Sequence, residues 1–346
     1  MKTEEIKAIS ELISPKGGVK NIVIVTHRNP DGDAYGSSLA LYHFLNKFGH
    51  EVKIISPNDC PGFLKWMPAQ ENILLFEPNI EKATKRLNQA EIVFTLDFNA
   101  FHRTGHKMEI VLKQIHPVFI MIDHHQLPDD YAKFTFSNVH KSSTSEMIFD
   151  FIENLKELDK VDKDIATCIY TGIMTDTGSF RFPSTTSRTF NIASILLEKG
   201  ANNAQIYNRV MDVNSYSRMQ LLGSALNNMK VLENFKTAYI TLPQKELNKY
   251  NFEKGDTEGF VNYALSLKGI IFAVIFIEDK KQQIIKISFR SKGTFSVNEF
   301  ARNHFNGGGH TNAAGGKSDV SLQETVAQFL SFVPKYKNDL LKSYED

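Results

Sequence analysis

Within the stretch THRNPDGDAYGSS, residues 26–38, stand one histidine and two aspartates, His27, Asp31 and Asp33. Further along, Asp97 closes the apolar run EIVFTLD. Asp123 closes VFIMID and runs directly into His124 and His125, and Asp176 falls in GIMTDTGSF. Such side chains serve three purposes. An Asp before a helix caps it, an Asp at a strand end forms a turn, and a converging set holds a cation. Taken singly, each residue has one of the plainer uses. Taken together, carboxylates converging at one place would raise each other's pKa and destabilise the fold unless cations lay between them. Carboxylate oxygens suit hard divalent ions, and neutral imidazole suits Mn, Fe, Co or Zn. With no cysteine in the set, Mn2+ or a similar ion is favoured over structural zinc. The ligands outnumber the needs of one ion, which suggests two. Two ions about 3.5–4 Å apart clamp a phosphoryl group for in-line attack.

The elements that must position these residues follow from hydrophobic patterning. NIVIVT (21–26), EVKIIS (51–56), EIVFTLD (91–97) and VFIMID (118–123) are short, mostly continuous apolar runs, as expected of strands covered on both faces. Helical patterns at 37–49, 143–155 and 163–178 alternate with them, and Gly49 suits a helix end. The alternation predicts an α/β domain, a parallel sheet with helices on both faces. In such sheets ligands bind at the carboxyl ends of the strands, where Asp97, Asp123 and the 26–38 turn all fall. Gly32 and Gly36 are expected to let that turn fold tightly.

A helical stretch across 186–230 follows, read as a connector. TAYITL (237–242) resumes the strand signal. EGFVNYALSLKG is a helix, IIFAVIFIE and QQIIKISFR form an antiparallel hairpin around DKK, and SVNEFARNHF is a helix. NGGGHTNAAGG (306–316), with five of the chain's 20 glycines, reads as a loop whose bare backbone can approach a phosphate. The expected organisation is a domain over 1–190, a helical connector over 191–230, and a smaller α+β domain with a mixed sheet over 231–346.

Composition narrows the ligand. Forty Lys+Arg against 39 Asp+Glu leave a net charge of +1. Proteins that grip long duplex DNA by its backbone usually carry a basic surplus, so long duplex DNA is not an expected partner and a short nucleic acid or nucleotide is. Cys60 and Cys168 are the only cysteines, which fits a reducing cytoplasm and no disulfide framework. MKTEEIKAISELIS lacks the pattern of a secretory signal, and no apolar run approaches the roughly 18 residues of a membrane span. The chain reads as soluble, cytoplasmic and without a membrane partner.

VTHRNPDGDAYGSS, LDFNAFHRTG, IDHHQ and GIMTDTGSFRF resemble, in order, four motifs of the DHH phosphoesterase family. GGGHTNAAGG resembles the GGGH loop of its DHH-associated C-terminal domain, and the two-domain size resembles the oligoribonuclease and pAp phosphatase branch. The resemblance implies two divalent ions, Mn2+ favoured. His27 and Asp31 would hold one, Asp33, His124 and Asp176 the other, and Asp97 would bridge both. Asp123 would orient a neighbouring histidine, and His125 would stand near the scissile phosphate as stabiliser or proton donor. After Asp97 the sequence FNAFHRTG departs from many relatives, which bears on substrate preference, and Arg103 there could approach a phosphate. Arg290 and His310, with Ser291 and the glycines Gly307, Gly308 and Gly309, would hold the far end of the substrate, so that a fixed span selects short molecules. The implied substrates are short RNA oligonucleotides and nucleotide bisphosphates such as 3′-phosphoadenosine 5′-phosphate (pAp). Alternatives are a linear-dinucleotide (pApA) phosphodiesterase of cyclic-di-AMP turnover and a catalytically silent nucleotide-binding protein. A homodimeric assembly is compatible with all of these.

Overall fold

The computed structural model describes residues 3–343; residues 1–2 and 344–346 lie outside it. The chain divides into two compact units, Met1–Val213 and Asn214–Asp346.

The first unit is built on β1 (Asn21–Val25), β2 (Glu51–Ser56), β3 (Leu74–Leu75), β4 (Ile92–Leu96), β5 (Val118–Asp123) and β6 (Phe134–Ser137). They form a six-stranded sheet in the order β3-β2-β1-β4-β5-β6, with every pairing parallel. The continuous apolar runs are explained by two cores. Ile22, Ile24, Ile92 and Phe94 face one, and Val23, Val25 and Val93 face the other. The helices are α1 (Thr3–Leu12), α2 (Gly32–Asn46), α3 (Ile80–Asn88), α4 (His106–Gln114), α5 (Thr144–Asn154) and α6 (Lys163–Asp176). Leu39 of α2, Ile148 of α5 and Ile169 of α6 belong to the first core, and Leu87 of α3 and Leu112 of α4 to the second. The chain runs outward from β1 through β2 to β3, then returns to β4 on the other flank of β1. The strand order therefore reverses between β1 and β4, leaving a crevice at their carboxyl ends.

Helix α2 starts at Gly32, not at 37. Gly32 and Gly36 are thus helical residues, not turn formers, and their small size serves helix packing. A Cβ on Gly36 would stand 2.7 Å from the Cys168 carbonyl oxygen and 2.9 Å from Gly172 Cα, so α2 and α6 meet almost backbone to backbone.

Two further helices, α7 (Ser187–Glu198) and α8 (Asn203–Val210), bury Ile192, Leu196, Ile206 and Val210 in the first unit's core. Helix α9 (Tyr216–Asn227) buries Leu221, Leu222 and Ala225 in the second unit. The stretch expected to connect two domains is therefore shared between them, because its apolar faces are needed by the two cores.

The second unit contains β7 (Lys230–Leu232), β8 (Thr237–Leu242), β9 (Phe272–Asp279), β10 (Ile284–Ser291), β11 (Gly308–His310) and β12 (Ala313–Ser318), in the order β11-β12-β10-β9-β8-β7. The β8–β9 pair is parallel and the others are antiparallel, the expected β9–β10 hairpin included. Along with α9, α10 (Gln244–Lys249) and α11 (Phe260–Leu265) cover one face, where Ala273 and Ile275 point. On the other face Phe272, Val274 and Phe276 meet α12 (Val297–His304), α13 (Leu322–Phe332) and α14 (Lys337–Lys342).

The stretch expected to be a glycine loop is the β11–β12 hairpin. A Cβ on Gly307 would overlap the Gly315 carbonyl oxygen, and one on Gly309 the Ala313 carbonyl oxygen, so these glycines allow strand pairing. Gly309, with φ 153°, also has a backbone that side chains rarely adopt.

Candidate active site

The crevice between β1 and β4 collects the acidic and imidazole residues. His27 follows β1, and its Nδ1 lies 2.9 Å from the Arg28 carbonyl oxygen, which turns Nε2 toward Asp97. Nε2 is 3.4 Å from Asp97 Oδ2 and 3.9 Å from Asp31 Oδ1. Asp31 is also the N-cap of α2, its Oδ1 accepting the N–H groups of Asp33 at 3.1 Å and Ala34 at 3.0 Å. One carboxylate thus caps the helix and faces His27, with its side chain 50% exposed.

Asp97 follows β4 in the left-handed region at φ 63°, a conformation that Asp tolerates better than most residues. It turns away from the strand while its N–H still reaches the Ile122 carbonyl of β5 at 3.2 Å. Its two oxygens face different neighbours. Oδ2 faces His27, while Oδ1 lies 3.5 Å from His124 Nε2 and accepts the Thr144 hydroxyl at 3.1 Å. His124 Nε2 is in turn 3.4 Å from Asp176 Oδ2, at the end of α6, and 3.9 Å from Asp33 Oδ2, in the first turn of α2. Two groups that could each hold a cation lie here, His27–Asp31–Asp97 and Asp33–His124–Asp176, each with its donor atoms within 4.8 Å of one another. Asp123, fully buried at the end of β5, is paired with His125 through Oδ1 and Nδ1 at 2.7 Å.

The charges are strained as they stand. Burial opposes a proton on His27, yet its hydrogen bond to Asp97 and the charges of Asp31 and Asp97 outweigh this and raise its pKa to about 9. Burial likewise opposes charge on His124, and Asp97 and Asp176 drive it well above the usual range. For Asp33, burial and the neighbouring Asp97 and Asp176 push the carboxyl well upward. Asp176 reaches about 7, chiefly by burial, which the attraction of His124 only partly offsets against repulsion from Asp97 and Asp31. Asp97 goes the other way: burial would raise it, but hydrogen bonds from His124 and His27 hold it well below the carboxylate range. Protons thus do work that cations could do. The donors are oxygen and imidazole nitrogen alone; Cys60 and Cys168 are free thiols outside the set. That chemistry fits divalent ions of the Mg2+ to Mn2+ kind.

Arg103 lies in a short turn of helix over Phe101–Thr104 with its side chain exposed, and its carbonyl accepts the Arg28 N–H at 2.8 Å. In the second unit Arg290 is half-buried, with Nη1 donating to the Phe289 carbonyl at 3.0 Å; burial lowers its pKa. The Ser291 hydroxyl donates to the Phe295 carbonyl at 2.6 Å and accepts from Asn312 Nδ2 at 2.9 Å, so it braces its own unit. The Gly309 N–H is taken by Asn298 Oδ1 at 3.0 Å, Gly307 donates to the Ala301 carbonyl at 3.2 Å, and Gly308 and His310 pair with Gly315 and Ala313 along the hairpin.

Two residues around the first-unit site were not legible beforehand. Asn99 Nδ2 holds the carbonyls of His125 and Gln126 at 3.2 and 3.0 Å, anchoring the loop after β5. Thr144 reaches both Asp33 and Asp97. The S-x-x-E pattern of Ser143 and Glu146 marks the start of α5, and Ser143 does cap it, but nothing local marks Thr144 as a neighbour of residues 111 and 47 positions away.

A doubly wound parallel sheet with paired Asp/His sets at its switch point, followed by a mixed-sheet unit, is a two-domain α/β architecture in which the first domain carries the candidate chemistry. The DHH family N-terminal domain matches residues 21–173 and the DHHA1 domain matches residues 233–338, and the chain belongs to the DHH family. It is 30% identical over 312 residues to the bifunctional oligoribonuclease and PAP phosphatase NrnA of Thermus thermophilus, covering 90% of this chain and 88% of that protein. The crystal structure of an exopolyphosphatase-related protein from Bacteroides fragilis superposes with a TM-score of 0.94 at 42% identity, over 98% of both chains. The cyclic-di-AMP phosphodiesterase GdpP of Bacillus subtilis is 26% identical over 95% of this chain, which spans 49% of that larger protein.

Proposed function

We propose that the chain hydrolyses phosphoester bonds in very short RNA and in pAp, using two divalent ions, Mn2+ foremost. The observation that carries this reading is Asp97, whose two carboxylate oxygens face two separate ligand sets, Oδ2 toward His27 and Oδ1 toward His124. A shared carboxylate of this kind suits a paired-ion site. His27, Asp31 and Asp97 would hold one ion and Asp33, His124, Asp176 and Asp97 the other, and ions bound there would supply Lewis acidity toward phosphoryl oxygens and water. The protein's own residues do the rest. Asp123 keeps Nδ1 of His125 engaged, leaving Nε2 to stabilise the phosphoryl oxygens or to protonate the departing alcohol as the P–O bond breaks. Arg290 and His310 of the second unit are the residues proposed for substrate recognition, and Arg103 of the first for a phosphate contact. The kinship with the Thermus oligoribonuclease and PAP phosphatase supports the substrate class.

A second reading, a linear-dinucleotide phosphodiesterase that cuts pApA, is favoured by the similarity to a cyclic-di-AMP phosphodiesterase. Both readings place the protein in the cytoplasm. Both cysteines are free thiols, and among the described residues no helix is long and apolar enough to cross a membrane.

One substrate panel separates these readings: pAp, pApA, a five-nucleotide RNA, long RNA, pyrophosphate and cyclic dinucleotides, each with Mn2+. The first reading expects pAp and the short RNA to be consumed and the long RNA spared, and the second expects pApA to dominate. Asp97→Ala is expected to abolish turnover of every substrate, and full activity in that variant would remove the shared-ligand scheme.

A further inference from the structure

The segment Lys141–Ser145, leading into and starting α5, touches three of the six candidate ligands of the first unit. Asp33 is gripped by two backbone N–H groups, Thr144 donating to Oδ2 at 2.6 Å and Ser145 to Oδ1 at 2.8 Å. His124 Nδ1 lies 3.3 Å from the Lys141 carbonyl oxygen, leaving Nε2 to face Asp33, Asp97 and Asp176. The fully buried Thr144 adds a side-chain contact, its hydroxyl donating to Asp97 Oδ1 at 3.1 Å.

That last bond acts on a specific freedom. A carboxylate rotates about its terminal torsion with a broad, roughly two-fold preference. For Asp97 such rotation would turn Oδ1 and Oδ2 away from the two ligand sets they face. The Thr144 hydroxyl, donating to Oδ1 alone from a side chain fixed at the start of an eleven-residue helix, adds to the imidazole contacts of His27 and His124 in holding the plane. A hydroxyl does so without bringing a charge, so the carboxylate keeps its negative charge for cations. A Lys or Arg in the same place would compete with them.

We propose that Thr144 is the positioning residue of the Asp97 bridge, its hydroxyl fixing the carboxylate plane so that each oxygen serves one ion. The inference rests on the reading of Asp97 as a shared ligand. Thr144→Val removes the hydroxyl and keeps the shape; Thr144→Ser keeps the hydroxyl and loses the methyl. The test titrates the full chain and both variants with Mn2+ by electron paramagnetic resonance, alongside melting curves in EDTA and kcat and KM on pAp.

In Thr144→Val the second Mn2+ is expected to bind about 10–100-fold more weakly, the usual cost of losing such a supporting contact. The signal of a spin-coupled Mn2+ pair should give way to that of isolated ions, and kcat should fall more than KM changes. Thr144→Ser should stay within a few-fold of the native protein. Native affinity and coupling in Thr144→Val would overturn the proposal, as would a Thr144→Ser variant as defective as the valine one. If the valine variant does not fold, Thr144→Ala against Thr144→Ser makes the same comparison. A native protein that binds fewer than two ions removes the shared-ligand reading itself, an outcome distinct from failure of the Thr144 role.

Discussion

Asp123 grips His125 twice: Oδ1 lies 2.7 Å from the ring Nδ1, and Oδ2 accepts the backbone N–H of the same residue at 2.9 Å. Ring and backbone are therefore held by one carboxylate that is itself fully buried. Asp123→Asn keeps the shape but can present an amide N–H to Nδ1. It is expected to lower kcat by about 10–100-fold, as loss of a carboxylate partner to a working histidine commonly does, with the melting temperature in EDTA little changed. Steady-state kinetics with melting curves check this; undiminished kcat would show that His125 needs no orientation.

Protons should leave as ions enter. His27 holds its proton up to about pH 9 and Asp176 holds its own up to about pH 7. Added Mn2+ must displace them, so at pH 7 binding should release protons into an unbuffered solution, and apparent affinity should climb with pH until about 9. Stability without metal should follow the opposite course. The raised His27 pKa stabilises fully below its usual 6.5 and is lost as pH rises through about 9. The raised Asp176 pKa stabilises fully below 3.8 and is lost as pH rises through about 7. Melting temperatures in EDTA are expected to fall between pH 5 and pH 9.5, and Mn2+ is expected to reverse the fall. A flat profile in EDTA would contradict this charge arrangement.

Asp31 caps α2 and is a proposed metal ligand, and substitution separates the two roles. Asparagine caps helices as well as aspartate does, so Asp31→Asn should melt like the native protein in EDTA yet bind Mn2+ more weakly. Asp31→Ala loses both roles and should cost about 1 kcal/mol in addition. Equal Mn2+ affinity in the native protein and Asp31→Asn would leave capping as the residue's sole role.

Gly172 is where three helices meet the site. A Cβ there would overlap Ser145 Oγ and stand 2.9 Å from Asp33 Oδ1. Gly172→Ala should therefore disturb Asp33 as well as packing, whereas the nearest atoms to a Cβ at Gly36 are α6 backbone atoms of Cys168 and Gly172. Both should lose about 1–3 kcal/mol by overpacking, but Gly172→Ala should also weaken Mn2+ binding beyond Gly36→Ala. Chemical denaturation and Mn2+ titration of the pair test the distinction.

Much of the first unit was legible in its residues. The runs at 21–26, 51–56, 91–97 and 118–123 are apolar on both faces because each strand lies between two cores, and that pattern announces a parallel sheet. The Asp and His residues that end those runs fall together because parallel strands share a carboxyl edge. Strand β6, Phe134–Ser137, escaped because its exposed Thr135 and short length give little apolar signal. The start of α2 was misplaced because PDGDAYG reads as a turn, and only the approach of α6 explains why small residues are wanted inside a helix there.

The residue types and their order along the chain settled the fold class and the edge at which the Asp and His residues gather, since alternation and strand ends are local properties. Tertiary structure alone decided that Asp97 turns one oxygen to each ligand set, that Thr144 and Asn99 brace the site, and that the glycines after Asn306 form a hairpin and not a loop. Those features depend on groups far apart in sequence, whose distances are fixed only when helices and strands close upon one another.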